Sequence, residues 1–198
     1  MNTFTLQLDQ ADALRGNNPA LLELTVIDSP EVIDEILDRL INVLCDQLHY
    51  RIHDAYDLAI VFSELCQNVL DHNSVAADGL AAMQVYNGRH GRFMQFVVAD
   101  RGDGIRKTLQ RNQKYAGLNT DIDAIIQSIK LGASEYEDPT RGNGLYHLLE
   151  LSFKHQGAVH IRSGSGKVYL RMDHRKAKGF DVPFLSGCQF SISFRERG

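Results

Sequence analysis

Three short stretches of this sequence carry the residues that could do chemistry, and the first spans residues 57–73, DLAIVFSELCQNVLDHN. On a helix, which advances about 100° per residue, Glu64, Asn68 and Asp71 share one face and the apolar residues another. A carboxamide oxygen is a hard ligand suited to Mg²⁺, and a carboxylate one turn away can orient or deprotonate an attacking group. Any surface helix also shows polar residues beside an apolar stripe, so this helix alone does not decide its role.

Two glycine clusters supply the other stretches, DRGDG at residues 100–104 and RGNGL at residues 141–145. The first follows an apolar strand and places Asp100 at its carboxyl end, where α/β sheets bind ligands. The second opens an apolar helix, and glycine amides at a helix N-terminus favour an anion such as a phosphate. Taken singly, the first cluster is equally compatible with a tight turn, and the second with a helix entry that binds nothing.

The order and spacing of these three motifs resemble the GHKL (Bergerat-fold) ATP-binding superfamily, which includes histidine kinases, gyrase-type ATPases, mismatch-repair ATPases and anti-sigma-factor kinases. The resemblance covers most of the chain, from about residue 30 to about residue 195. It implies an α+β fold, a two-layer α/β sandwich in which helices cover one face of a mixed, mostly antiparallel sheet. It also implies ATP and Mg²⁺ as cofactors.

The resemblance assigns a role to each motif. Glu64 would be the catalytic residue, Asn68 the magnesium ligand, and Asp100 the acceptor of a hydrogen bond from the adenine amino group. The other nucleotide-contacting positions that it implies are Asp71, Gly102, Gly104, Ile105, Arg141, Gly142, Asn143, Gly144, Leu145 and Cys188. Many relatives have a threonine where this chain has Cys188, and a thiol is the weaker hydrogen-bonding group.

Composition sets the outer bounds of the interpretation. With 198 residues and 43% hydrophobic content, the chain suits a single domain with a substantial core. A net charge of −4 argues against nucleic acid or an anionic membrane as a partner. The three scattered cysteines indicate reduced thiols, and no basic leader or apolar run of about 20 residues occurs. We therefore expect a soluble, cytoplasmic protein.

The N-terminal segment, residues 1–28, is predicted to hold two strands, residues 3–8 and 21–27. Ser29 before Pro30 is a typical helix start, and the apolar spacing predicts a helix to about Leu48. An exposed edge on these elements could support a homodimer. His49 and His53 stand four residues apart, as a metal pair would, but no third ligand is in register.

Beyond the first polar helix, two strands are predicted at Leu80–Tyr86 and Phe93–Ala99. Residues 105–141 form a long connection, with one predicted helix at residues 121–131, and superfamily members keep the ATP lid at this point. A hairpin is predicted from residues 158–162 and 168–172, across a glycine turn that lacks the P-loop pattern. A charged loop is expected at residues 173–179, and a final strand at Gln189–Phe194.

The implied chemistry is phosphoryl transfer, which depends on positioning and charge stabilisation. One hypothesis is a stand-alone regulatory protein kinase similar to the anti-sigma-factor serine/threonine kinases. Its partner would be a sigma factor, an antagonist of the anti-anti-sigma type or another phosphoacceptor protein. Two alternatives stay open, an ATP-gated protein-interaction module and a simple ATPase with a mobile lid.

Overall fold

The computed structural model describes residues 20–72, 79–89, 91–130, 133, 144–171 and 174–197. The helices and strands in these ranges, in chain order, are β1 (Ala20–Val26), α1 (Pro30–Asn42), α2 (Ile52–His72), β2 (Leu80–Gly88), β3 (Gly91–Ala99), α3 (Ile105–Leu109), α4 (Asp121–Ser128), α5 (Gly144–Lys154), β4 (Ala158–Arg171) and β5 (His174–Arg195). A π-helical turn, Val43–Gln47, extends α1, and a 3₁₀ turn, Gln113–Tyr115, lies between α3 and α4.

The five strands form one sheet in the order β1-β2-β3-β5-β4, and each of the four ladders between them is antiparallel. Alternate residues of β2 and β3 are buried, as expected for a sheet covered on one face. The covering helices pack through aromatic contacts, in which the Phe62 ring of α2 lies 4.4 Å from the Phe96 ring and 5.9 Å from the Phe194 ring. The predicted α+β, two-layer class is therefore confirmed.

Helix α1 begins where the sequence predicts. The Ser29 hydroxyl accepts a hydrogen bond from the Val32 amide at 3.4 Å, and Pro30 occupies the first turn, where its missing N–H is not needed. Regular α-helix ends at Asn42, and the π-helical turn carries the chain on to Gln47, close to the predicted end at Leu48. This path buries Leu40, Leu44 and other residues of the apolar face.

Strand β4 reverses direction within its own length. The ring centroids of His160 and Tyr169 lie 4.3 Å apart, although nine residues of extended chain would span about 30 Å. The reversal occurs at the glycine turn, where Gly164 has a φ of +59°. Both halves pair with β5, the first through residues 188–193 and the second through residues 174–181. The predicted glycine turn between residues 162 and 168 is thus present.

The charged loop predicted at residues 173–179 is wrong for the part that the structure describes. Residues 174–179 open β5, where Val168 pairs with Gly179 and Tyr169 pairs with Lys178. A strand ladder is made by backbone groups, so charged side chains do not prevent pairing when they can reach water. A high density of charge therefore indicates that a segment is in contact with water, and it does not show whether that segment is a loop or a strand.

The connection that follows Asp100 is folded onto the sheet up to residue 130. Ile105, Leu109, Tyr115 and Ile125 are all buried in the main core. Asp121 at the start of α4 accepts a hydrogen bond from the Ser165 amide at 2.8 Å. Residues 131, 132 and 134–143 are outside the described ranges, as is the predicted strand at residues 3–8, and the lid stays a prediction.

No helix in the described ranges is both long enough and apolar enough to cross a membrane.

Candidate functional site

Helix α2 presents the predicted polar face to solvent. Glu64, Asn68 and Asp71 are exposed, while Leu65 and Val69 on an adjacent side of the helix are buried. The Gln67 amide donates a hydrogen bond to the Asp71 carboxylate at 2.9 Å, one turn away on the same surface. The apolar side of α2 is therefore fixed by the core, and this fixes the direction of the acid and amide groups.

Helix α5 runs antiparallel to α2 and brings its N-terminus to Glu64. At the far end of the pair, Lys154 of α5 lies 3.5 Å from Asp54 and 3.8 Å from Asp57. At the near end, a Cβ built on Gly144 would overlap the Glu64 carboxylate, with Oε2 at 2.6 Å. The Glu64 carboxylate therefore lies directly against the first residue of α5, and a carboxylate at a helix N-terminus is favoured by the helix dipole.

The same end of the sheet carries Asp100. Val69 of α2 lies against Gly79, since a Cβ on that glycine would overlap the Val69 side chain. The next residue, Leu80, pairs with Ala99, which directly precedes Asp100. The C-terminal half of α2, the N-terminus of α5 and the end of β3 therefore lie at one end of the molecule, although the sequence separates them by dozens of residues.

The Asp100 carboxylate is held by its own loop. Its Oδ1 accepts a hydrogen bond from the Gly102 amide at 2.8 Å, and the Asp100 amide donates to the Cys188 carbonyl at 2.9 Å. The Ser186 hydroxyl lies 3.3 Å from the Arg101 carbonyl and 3.4 Å from the Gly102 carbonyl, so it fixes the loop from β5. Asp100 is half-buried, with its position set before any ligand arrives.

Asp103, the second acid of the cluster, has a different role. Its two carboxylate oxygens lie 2.6 Å from Lys107 and 2.8 Å from Arg111. The hydrogen bond from Lys107 is the main cause that lowers the pKa of Asp103, and Arg111 adds to it. These groups are all exposed. We therefore infer that Asp103 pairs with the basic residues of α3 and the turn after it, and that it is not part of the candidate site.

Ser163 is a buried part of this region that the sequence prediction missed. Its hydroxyl accepts a hydrogen bond from the Ile105 amide at 2.9 Å and donates to the Gly187 carbonyl at 3.0 Å. The predicted turn began at this residue. The alternation that buries Val159 and Ile161 continues to Ser163. This period of two is the sequence signal that could have predicted a buried Ser163.

The Cys188 thiol contacts this serine, with its Sγ 3.6 Å from the Ser163 Oγ. Burial is the main cause that raises the pKa of Cys188, and the negative charge of Asp100 raises it further. The thiol is therefore protonated and can donate a weak hydrogen bond. A serine and a cysteine on neighbouring strands thus stand behind the Asp100 loop.

The structure separates the two histidines that were considered as a metal pair. His49 lies 3.4 Å from Glu196, and His53 lies 3.5 Å from Asp54. Within the described ranges, no cluster of three or more histidine, cysteine, aspartate or glutamate side chains could hold a metal ion. Cys66 and Cys188 are buried free thiols, and Cys45 is half-buried.

The described groups fit the chemistry of a magnesium nucleotide. Asn68 offers a carboxamide oxygen and Glu64 a carboxylate, and the N-terminus of α5, against which the Glu64 carboxylate lies, offers backbone amides. The predicted contacts at Arg141, Gly142 and Asn143 lie outside the described residues, while Gly144 and Leu145 begin α5. The individual roles assigned to these residues stay predictions.

No protein-family model matches this sequence, and no curated protein matches it either. Among solved structures, the chain is similar to the histidine kinase domain from Erythrobacter litoralis EL346 blue-light activated histidine kinase. The sequences are 13% identical and the TM-score is 0.39. The match covers 83% of this chain and spans 61% of the length of the other.

Proposed function

We propose that this chain is a Mg-ATP-binding domain that acts as a stand-alone regulatory protein kinase, with a hydroxyl group of a partner protein as the acceptor. The contact between Glu64 and Gly144 is the observation that carries this proposal. It joins the polar face of α2 to the N-terminus of α5, so a carboxylate and a helix start share one surface. Positioning and charge stabilisation are the main requirements of phosphoryl transfer.

Each residue has a task in this proposal. Bound Mg-ATP would supply an activated phosphoryl group. Asn68 would hold the magnesium ion through its amide oxygen, and the amides that begin α5 at Gly144 would face the phosphate oxygens. Asp100, already fixed by Gly102, would accept a hydrogen bond from the base. Glu64 would orient or deprotonate the acceptor hydroxyl.

An exposed apolar row on α2 favours a protein acceptor over water. Ile52, Tyr56 and Ile60 are 56%, 54% and 69% exposed, and each stands four residues after the one before. Residues at this spacing are neighbours on a helix surface, and the next position in the row is Glu64. Contiguous exposed apolar side chains commonly mark contacts with another protein. We infer that a regulatory protein docks along this row with its hydroxyl near Glu64.

The test is incubation of the protein with labelled ATP, Mg²⁺ and cell lysate, after calorimetry with Mg-ATP. The kinase proposal requires a labelled partner band, and Ile60→Asp should remove this band while Mg-ATP binding is kept. Leu24→Asp is the matched control, because Leu24 is an exposed apolar residue on β1. Phosphate release without a labelled band would identify an ATPase, and binding without turnover an interaction module. No heat on addition of Mg-ATP would overturn the proposal.

A further inference from the structure

A cavity of about 630 Å³ opens at the opposite end of the sheet from Asp100. It lies beside the connection between β2 and β3, and its lining includes Arg89, Phe93, Gln156, Tyr169, Arg171 and Arg195. The nine residues of β3 separate this connection from Asp100, a distance of roughly 30 Å along the strand. The cavity is therefore distinct from the candidate ATP site, and its volume is typical of small-molecule sites.

The lining of this cavity is basic. Arg89 follows β2, Arg171 ends β4 and Arg195 ends β5, so the ends of three separate strands each contribute one arginine to its lining. Among the described residues that line it, none is an aspartate or a glutamate. Because the whole chain has a net charge of −4, three arginines around one cavity are not a consequence of composition.

The acid nearest in sequence to this cluster already has a partner. Glu196 lies 2.6 Å from the Arg92 guanidinium and accepts a hydrogen bond from the Arg92 amide at 3.1 Å. The hydrogen bond from the Arg92 side chain is the main cause that lowers the pKa of Glu196 to about 2. Among the described residues, no carboxylate forms a salt bridge with Arg89 or Arg195, so both can serve an external anion.

Two supported aromatic rings stand beside the arginines. The Phe93 ring stacks on Tyr86 with a centroid distance of 5.2 Å and an interplanar angle of 19°. The Tyr169 ring lies edge-on to His160 at 4.3 Å. Rings fixed in this way give a planar ligand a surface to stack against at little entropic cost. Gln156 and Ser193 add hydrogen-bonding groups to the same lining.

We propose that this cavity binds an organic phosphate that carries a planar ring. The planar, permanently charged guanidinium groups of Arg89 and Arg195 hold the phosphate, for which their paired donors are well matched. The ring lies against Phe93 or Tyr169. This site does not depend on the proposed kinase function, because it uses none of the residues assigned to Mg-ATP.

Calorimetry with phenyl phosphate, inorganic phosphate and phenol tests the proposal, since these probes separate the charge from the ring and lack a purine. We expect phenyl phosphate to bind most tightly, inorganic phosphate more weakly, and phenol not at all. The double variant Arg89→Ala/Arg195→Ala should lose about tenfold or more in affinity, because it removes the charge-assisted hydrogen bonds that the two guanidinium groups give to the phosphate. Both arginines are exposed, so the variant should fold, and circular dichroism checks this.

The matched control is Arg39→Ala/Arg51→Ala, which removes the same charge from exposed positions on α1 and directly before α2. This control should keep wild-type affinity for phenyl phosphate, and so should Asn68→Ala, which alters only the candidate ATP site. No heat with phenyl phosphate, or equal affinity in the two double variants, would overturn the site. Equal affinities for phenyl phosphate and inorganic phosphate would overturn the role given to the aromatic rings.

Discussion

Gly187 lies directly against the backbone of Asp100. A Cβ built on Gly187 would overlap the Asp100 carbonyl oxygen and lie 2.6 Å from its carbonyl carbon. Gly187 also has a φ of +80°, a backbone conformation that side chains disfavour. The loop that holds Asp100, the candidate base-binding acid, is therefore packed backbone to backbone against β5.

Gly187→Ala should lower the free energy of unfolding by about 1–3 kcal/mol or more, because the new methyl group meets rigid backbone and the residue keeps a strained φ. Urea denaturation measures the change. Gly117→Ala is the control, since a Cβ at Gly117 meets nothing within 4 Å. This control should be neutral or slightly stabilising. Equal stability of Gly187→Ala and wild type would contradict the close contact.

Ser163→Ala should cost about 1–3 kcal/mol in the free energy of unfolding, because it leaves the buried Ile105 amide without its acceptor. The control is Ser165→Ala, two residues later and exposed, for which a change within about 0.5 kcal/mol is expected. Thermal or urea denaturation of both variants gives the comparison. If Ser163→Ala and Ser165→Ala change the free energy of unfolding by the same amount, the Ser163 hydroxyl does not stabilise the start of α3.

Asn68→Ala should abolish Mg-ATP binding, whereas Glu64→Ala should keep binding and remove turnover. The reason is that the amide is assigned to the metal ion, and the carboxylate to the acceptor. Calorimetry measures binding, and release of labelled phosphate or its transfer measures turnover. Asn42→Ala and Glu35→Ala, at exposed positions on α1, are the matched controls. A Glu64→Ala protein with full turnover would refute the catalytic role of Glu64.

Stability should fall as the pH is lowered from about 6.5 to about 4, in part through His160. Burial, and then the positive charge of Lys167, lower the pKa of His160 from 6.5 to about 4. In this window the unfolded chain binds the proton and the folded protein does not, so stability decreases with falling pH. Burial also lowers the pKa of His155, so that residue contributes in the same direction.

His160→Gln should therefore reduce the slope of unfolding free energy against pH between about 6.5 and 4. The slope is the readout because the substitution also removes the ring contact with Tyr169, which changes stability at every pH. His147→Gln, at an exposed position on α5, should keep the wild-type slope. An unchanged slope in His160→Gln would show that this histidine titrates alike in the folded and unfolded chains.

Much of the fold is predictable from the sequence because hydrophobic period and capping residues act locally. Ser29 with Pro30 marks the start of α1, and the alternating residues of β2 and β3 mark both strands. The strand at residues 174–179 was missed, because its pairing with β4 is a backbone interaction that charge does not reveal. Local composition predicted solvent exposure there, and tertiary pairing determined the conformation.

The polar residues of the candidate site were predictable from the sequence, but the contacts that hold them in place were not. Glu64 and Asn68 share a helix face as a direct result of the helical period. The contact of Glu64 with Gly144 and the hydroxyl of Ser163 behind Ile105 depend on how distant segments pack, which spacing alone does not specify. The basic cavity was missed for the same reason, since Arg89, Arg171 and Arg195 meet only once the sheet is formed.

The position of β5 between β3 and β4 has a consequence for how the chain folds. Phe93 pairs with Arg195, and Ala99 with Gln189, so this ladder joins residues about 100 positions apart. Closing so large a loop costs entropy before any pairing energy is gained, and such non-local contacts slow folding. Until β5 docks, β3 has an unpaired edge that can pair with another chain, so aggregation during refolding should compete at this step.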